Sequence, residues 1–189
     1  ALDSITAMAE HVLATAPTAT FALAGHSMGG RIALEIMRLA PQRVERLALL
    51  DTGIHPFAAG EAGAKEKAGR MALLELAQTA GMRVMGAQWL RGMVHPSVQG
   101  TALFEQILDM LERSNPAQFD AQIAALLGRP DAAPVLPTIT CHTLVLTGRE
   151  DLWSPPEQHA AIASAIPGAK LVIVEQCGHM ATVEQPQAV

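Results

Sequence analysis

The 189-residue sequence contains no tyrosine, two tryptophans, four phenylalanines and two cysteines. Aromatics this sparse give no stacking platform, and no basic stripe offers a track for nucleic acid. The net charge of −5 is mild and is not gathered in a run. Cys141 and Cys177 are too far apart for a C-x-x-C unit and too few for a disulfide framework, so the expected setting is reduced and cytoplasmic. No apolar stretch approaches the roughly 20 residues of a membrane span, and the N-terminus lacks the basic-then-apolar layout of a secretion signal. Histidines and carboxylates show neither H-x-x-x-H nor H-E-x-x-H spacing, which argues against a hydrolytic metal. The glycines form no G-x-x-x-x-G-K phosphate cradle. Internal repeats and low-complexity segments are absent.

What is present is a chain half hydrophobic in composition, long enough for one domain with a sizeable core. It is organised around Phe21 to Met37, FALAGHSMGGRIALEIM. Phe21 to Ala24 form an apolar run without polar alternation, which predicts a strand buried on both faces of a parallel sheet. Ile32, Ala33, Ile36 and Met37 then recur at helical spacing until Pro41 stops the pattern. Between strand and helix, Gly25 and Gly29 flank Ser27 in a G-x-S-x-G pattern, where a sharp turn is expected to leave no room for side chains. Gly30 is expected to allow close packing of helix on strand. In this strand-turn-helix context the pattern reads as a nucleophile elbow.

The rest of the chain extends this unit. Residues 2–16 place Leu2, Ile5, Ala9, Val12, Leu13 and Ala16 on one helical face, ended by Pro17. Arg46 to Asp51 read as a second buried strand, so residues 1–51 alternate helix and strand as a parallel α/β sheet does. From residue 52 to 137 the pattern changes to a loop rich in Gly and Pro and then to helices without strands. This segment is expected to form a helical cap over the elbow. Met71, Met82, Met85, Met93 and Met110 fall within it, and their flexible thioethers would suit a pocket for varied apolar groups or simply fill gaps. Trp89 is the cap aromatic of most interest. Residues 138–189 return to α/β character: strand 142–148, a helix opened by Pro155-Pro156, strand 170–175, Gly178-His179, and a further helix expected to begin at Pro186.

Loops at the carboxyl ends of parallel strands gather on one edge of a sheet. Ser27, Asp151 and His179 each follow a different predicted strand at that end, in the order Ser, Asp, His. Their chemistry suggests the roles. A serine hydroxyl needs a base to take its proton, a histidine exchanges protons near neutral pH, and a carboxylate fixes the imidazole tautomer. The backbone N–H of Met28 would be one donor to an oxyanion. Glu150 and Asp51 are rivals for the acid. His26, His55, His95, His142 and His159 are rivals for the base, His26 lying on the wrong side of the turn to reach the hydroxyl. Cys177 reads as a small buried filler.

The segments GHSMGG at 25–30, PQRVERLALLDTG at 41–53, LVLTGREDLWSPPE at 144–157 and EQCGHMATVEQP at 175–186 resemble the α/β-hydrolase superfamily. The likeness is to its cap-bearing branch of small esterases, enol-lactone hydrolases and carbon–carbon bond hydrolases. It implies a triad of Ser27, Asp151 and His179, no cofactor, and a serine hydrolase acting on a small apolar ester or lactone. Carbon–carbon bond or amide hydrolysis, and a non-catalytic ligand-binding role, are the alternatives. Serine in place of aspartate at the nucleophile position disfavours the haloalkane-dehalogenase branch. The family's sheet is larger than the four strands visible here, so the chain is expected to be a fragment lacking the N-terminal strands, the second oxyanion donor and the last helix. With one donor missing, little or no turnover is expected of this stretch alone. No nucleic-acid or membrane partner is expected, and a homodimer is left open.

Overall fold

The computed structural model describes residues 2–189. Four parallel strands make one sheet in the order β1-β2-β3-β4, namely β1 (Phe21–His26), β2 (Val44–Leu50), β3 (His142–Gly148) and β4 (Lys170–Val174). The register carries Gly25 to Leu49, Leu49 to Val145 and Val145 to Leu171, which lines the carboxyl ends of all four strands along one edge.

Helix α1 (Ile5–Thr15) starts where the Ser4 hydroxyl accepts the Ala7 N–H at 3.1 Å, an N-cap that satisfies one of the free donors of the first turn. Together with α2 (Met28–Leu39) and α7 (Pro156–Ala165) it contributes to the core on one side of the sheet, where Ala9, Leu34, Ile36 and Ile162 are fully buried with Leu49 and Val145. The opposite face is only partly covered. Leu50, Leu146 and Val174 are buried there with Cys177 and with Ala181 of the short α8 (Ala181–Glu184), while Ala22 and Ala24 of β1 are exposed. The elbow strand is therefore not buried on both faces, as its apolar run had suggested. It alternates, with Phe21 and Leu23 packed against the core and two alanines outward, and only the small size of those alanines hid the alternation.

Between β2 and β3 lie four helices, α3 (Gly60–Ala80), α4 (Met82–Leu90), α5 (Ala102–Glu112) and α6 (Pro116–Leu127). Two of the starts are written in the sequence: Thr101 accepts from Phe104 N–H, and Asn115 accepts from Gln118 N–H ahead of Pro116. The helices pack through two apolar clusters, one around Met85, Leu74 and Ile123, the other around Leu90, Ile107 and Met180. The methionines divide by role. Met82 and Met85 are core of the insert, Met71 and Met110 are exposed, and Met93 alone of the five faces the cavity described below. Near the C-terminus the short α8 was not expected, and its Glu184 folds back to accept the N–H groups of Gly178 and Met180; residues 186–188 form a turn where a helix was expected to begin.

Candidate active site

Ser27 sits in the turn between β1 and α2 with φ 53° and ψ −117°, a left-handed conformation uncommon for a residue with a side chain. Its N–H donates to the Leu50 carbonyl at 2.9 Å. The turn is tight at its first glycine: a side chain at position 25 would run into the Gly29 carbonyl. At Gly29 the expectation of crowding fails, since nothing lies within 4 Å of where a Cβ would stand; this residue faces the open cavity. Gly30 is where helix and strand come close, against the Thr52 side chain, whose hydroxyl donates to the Ser27 carbonyl at 2.7 Å.

The three residues singled out from the strand ends come together. His179 Nε2 lies 2.8 Å from Ser27 Oγ, and His179 Nδ1 lies 2.8 Å from Asp151 Oδ2. An ionised carboxylate only accepts, so Nδ1 carries the proton and Nε2 is left to accept from the serine hydroxyl. Asp151 is held in turn: its Oδ1 accepts the N–H groups of Trp153 and Ser154, both at 2.8 Å. Asp151 and His179 are both buried, at 1% and 3% exposure, so this series of bonds is shielded from water's competition.

The rivals occupy other positions. Glu150 accepts from Cys177 N–H at 2.9 Å and ties the β3 loop to the β4 loop. Asp51, fully buried and at φ 46°, accepts from Gly148 N–H at 3.0 Å and Ala181 N–H at 3.2 Å, joining the ends of β2 and β3 to α8. His26 bonds through Nε2 to the His179 carbonyl at 2.7 Å, with Asp51 Oδ2 at 3.4 Å, and not to the serine hydroxyl. Burial disfavours its cation, but the Asp51 hydrogen bond, the His179 carbonyl and the charges of Asp51 and Asp151 outweigh that, raising its pKa above the ordinary value. His159 is the opposite case. Burial lowers its pKa, and the neutral ring accepts Thr52 N–H at Nε2, 3.0 Å away. His55, His95 and His142 take no part in the Ser27–His179 series; His95 bonds Ser97 through Nδ1. The Cys177 thiol is pushed up to about 12, chiefly by burial, which removes it as a nucleophile at neutral pH.

Two features were not readable from the sequence. One is the set of bonds from the helical insert that fixes the His179 loop: His179 N–H donates to the Met93 carbonyl at 2.6 Å, and Glu184 Oε2 accepts His95 N–H at 2.7 Å. The other is an aromatic row in which Phe119, Trp89, Trp153 and His179 follow one another at ring separations of 5.8, 6.0 and 6.2 Å. Trp89 is thus both packed in the insert and part of the wall of a cavity of about 830 Å³. That cavity runs from Ser27 and His179 to the inner faces of the insert, with Leu73, Leu90, Ile107 and Phe119 among its apolar lining. Among the described residues no group of three or more His, Cys, Asp or Glu is placed to hold a metal ion, and no helix is long and apolar enough to cross a membrane.

The chain is 26% identical over 186 residues to a 2-hydroxy-6-oxononadienedioate/2-hydroxy-6-oxononatrienedioate hydrolase of Escherichia coli, covering 88% of this chain and 58% of that protein. The corresponding hydrolase of Klebsiella pneumoniae is 29% identical over 187 residues, covering 86% and 57%. The chain thus spans a little under three fifths of these curated relatives. Among solved structures, a thermophilic esterase from Thermogutta terrifontis, with malate bound, superposes with a TM-score of 0.85 at 28% identity, covering 97% of this chain and 68% of that one. The enol-lactonase of Burkholderia xenovorans shares the fold with a TM-score of 0.82 at 23% identity, covering 99% and 70%. The family profile described as "Alpha/beta hydrolase family" matches residues 1–189. Sheet, strand-turn-helix bend and family match agree, and the chain belongs to the alpha/beta hydrolase family.

Proposed function

We propose that the protein is a serine hydrolase that cleaves a small carboxylic ester or lactone through an acyl-enzyme. The observation that carries this reading is the hydrogen-bonded series from Ser27 Oγ through the His179 ring to Asp151, at 2.8 Å for each bond, opening onto a largely apolar cavity. In this reading His179 Nε2 takes the hydroxyl proton as Ser27 Oγ attacks the carbonyl carbon, and Asp151 steadies the imidazolium that forms. The Met28 N–H, first of α2 and so without a partner inside the helix, stabilises the developing oxyanion. His179 then gives its proton to the leaving oxygen, and water repeats the sequence on the acyl-enzyme. No cofactor or metal enters these steps. The helices between β2 and β3 act as a cap that supplies the apolar wall, and the enzyme works in the cytoplasm.

Carbon–carbon bond hydrolysis is the second reading, favoured by the names of the two curated relatives. The same serine, histidine and aspartate would serve it. A fluorophosphonate probe on the full-length protein tests the shared core of both: labelling at Ser27, lost in Ser27→Ala and weakened in His179→Ala, is expected. A folded protein that takes no label would sink both readings and leave a ligand-binding role. Turnover of an ester panel against a 2-hydroxy-6-oxo-dienoate then separates the two.

A further inference from the structure

The cavity is apolar on the side of Trp89, Leu90 and Phe119 and cationic on the other. Arg31, Lys65 and Arg70 line it there, and Glu66 is the only carboxylate among the lining residues. That carboxylate is already committed. Arg129 holds it with two hydrogen bonds, at 2.7 and 2.9 Å, and Arg70 Nε donates to it at 3.0 Å. Arg31 has no ion-pair partner among the described residues. Its one protein acceptor there is the His55 carbonyl, 2.9 Å from Nη1, which leaves most of the five N–H donors of the guanidinium for other acceptors. Gly53 makes room for it: a Cβ there would stand 2.7 Å from Nη2. Burial, with the like charges of Arg129 and Arg70, pulls the Arg31 pKa down to about 10, against a smaller opposing effect of Glu66. The group remains a cation at neutral pH, in a site that holds an excess of positive charge.

Position gives this cation a purpose. Arg31 lies in the first turn of α2, which starts directly after Ser27, and both residues line the one cavity. We propose that the substrate carries a carboxylate besides its scissile carbonyl group, and that Arg31 receives this anion at the cationic end of the cavity while Ser27 attacks the ester or lactone. The planar guanidinium fork suits a carboxylate in two-point contact. The apolar row of Trp89 and Phe119 is then left for the remaining hydrocarbon part. This inference rests on the serine-hydrolase reading and narrows its substrate to anionic esters or lactones.

Monomethyl and dimethyl glutarate present the same ester end and differ in one charge, which makes them a suitable pair. Titrated calorimetrically into full-length Ser27→Ala protein, the monoester is expected to bind about 10- to 100-fold more tightly than the diester, the range of a hydrogen-bonded charge contact. That ratio is expected to fall toward one when Arg31→Gln is added and to persist in part with Arg31→Lys, which keeps the charge. Equal affinity for the two esters, absence of monoester binding, or a preference that survives Arg31→Gln would each overturn the proposal. Fluorophosphonate labelling of the Ser27 protein is read alongside. Labelling without charge preference leaves the hydrolase standing and removes the anion site; charge preference without labelling does the reverse.

Discussion

The backbone N–H of His179 donates to the carbonyl of Met93 across 2.6 Å, so the proposed base is positioned by the helical insert as well as by the sheet. The contact is close because residue 178 is glycine. A Cβ there would lie 2.5 Å from the Met93 carbonyl oxygen and 2.8 Å from His95 N. Gly178→Ala is therefore expected to move the imidazole relative to Ser27 Oγ and to slow fluorophosphonate labelling by about 100-fold, the order expected for a misplaced catalytic group. Labelling at the parent rate would show that insert and histidine loop are not coupled in this way.

The two buried aspartates at the strand ends should separate by readout. Asp151→Asn removes the acceptor that fixes the His179 tautomer, and ester turnover is expected to fall by about 10⁴ with folding largely kept. Asp51→Asn puts an amide group where carboxylate oxygens accept from Gly148 and Ala181. Its main expected effect is a loss of about 1–3 kcal/mol in urea-unfolding free energy, the cost of a buried donor left without an acceptor, with a smaller loss of turnover. A reversal of the two outcomes would exchange their roles.

The glycines of the elbow make a second contrast. Gly25→Ala forces a methyl group into the Gly29 carbonyl, and a destabilisation of about 1–3 kcal/mol is expected from overpacking. Gly29→Ala meets open space and should stay within about 0.5 kcal/mol. Thermal or urea unfolding of the two variants decides the matter; equal destabilisation would mean that the turn is not tightest at its first glycine.

Two histidines should give the stability profile opposing slopes. His26 has its pKa raised above 6.5, so the folded state holds that proton more tightly than the unfolded chain. Its contribution is complete below pH 6.5 and is lost as pH rises through the folded value. His159 has its pKa lowered, so the contribution of its neutral ring is present above pH 6.5 and is lost as pH falls through the folded value. Urea unfolding across this range should show a smaller decline on the alkaline side for His26→Gln, and a smaller decline on the acid side for His159→Gln. Profiles parallel to the parent's would contradict both assignments.

Much of this was legible along the chain because it is written in local chemistry. Apolar runs gave the strands, Asn115-Pro116 gave a helix start, and a serine between glycines after an apolar run gave the bend, since each depends on neighbours within a few residues. The alternation of β1 escaped because alanine serves equally in a core and at a surface. Crowding at Gly29 was wrongly expected, because spacing alone does not say which side of a turn faces a cavity. Glu184 as a clamp on the Gly178 and Met180 amides left no periodic trace and was missed, as was the short α8 that carries it.

The sequence by itself determined the alternation of helix and strand, the insertion of helices between β2 and β3, and which serine, aspartate and histidine lie at strand ends. Those follow from periodicity and from the rule that parallel strands gather their carboxyl ends on one edge. Only the tertiary structure decided that Asp151 rather than Asp51 meets the His179 ring, that His26 turns to a backbone carbonyl, and that Arg31 has no carboxylate partner among the described residues. Each is a matter of a few ångströms between residues distant in the chain, set by how side chains share the available hydrogen-bond partners in a packed interior.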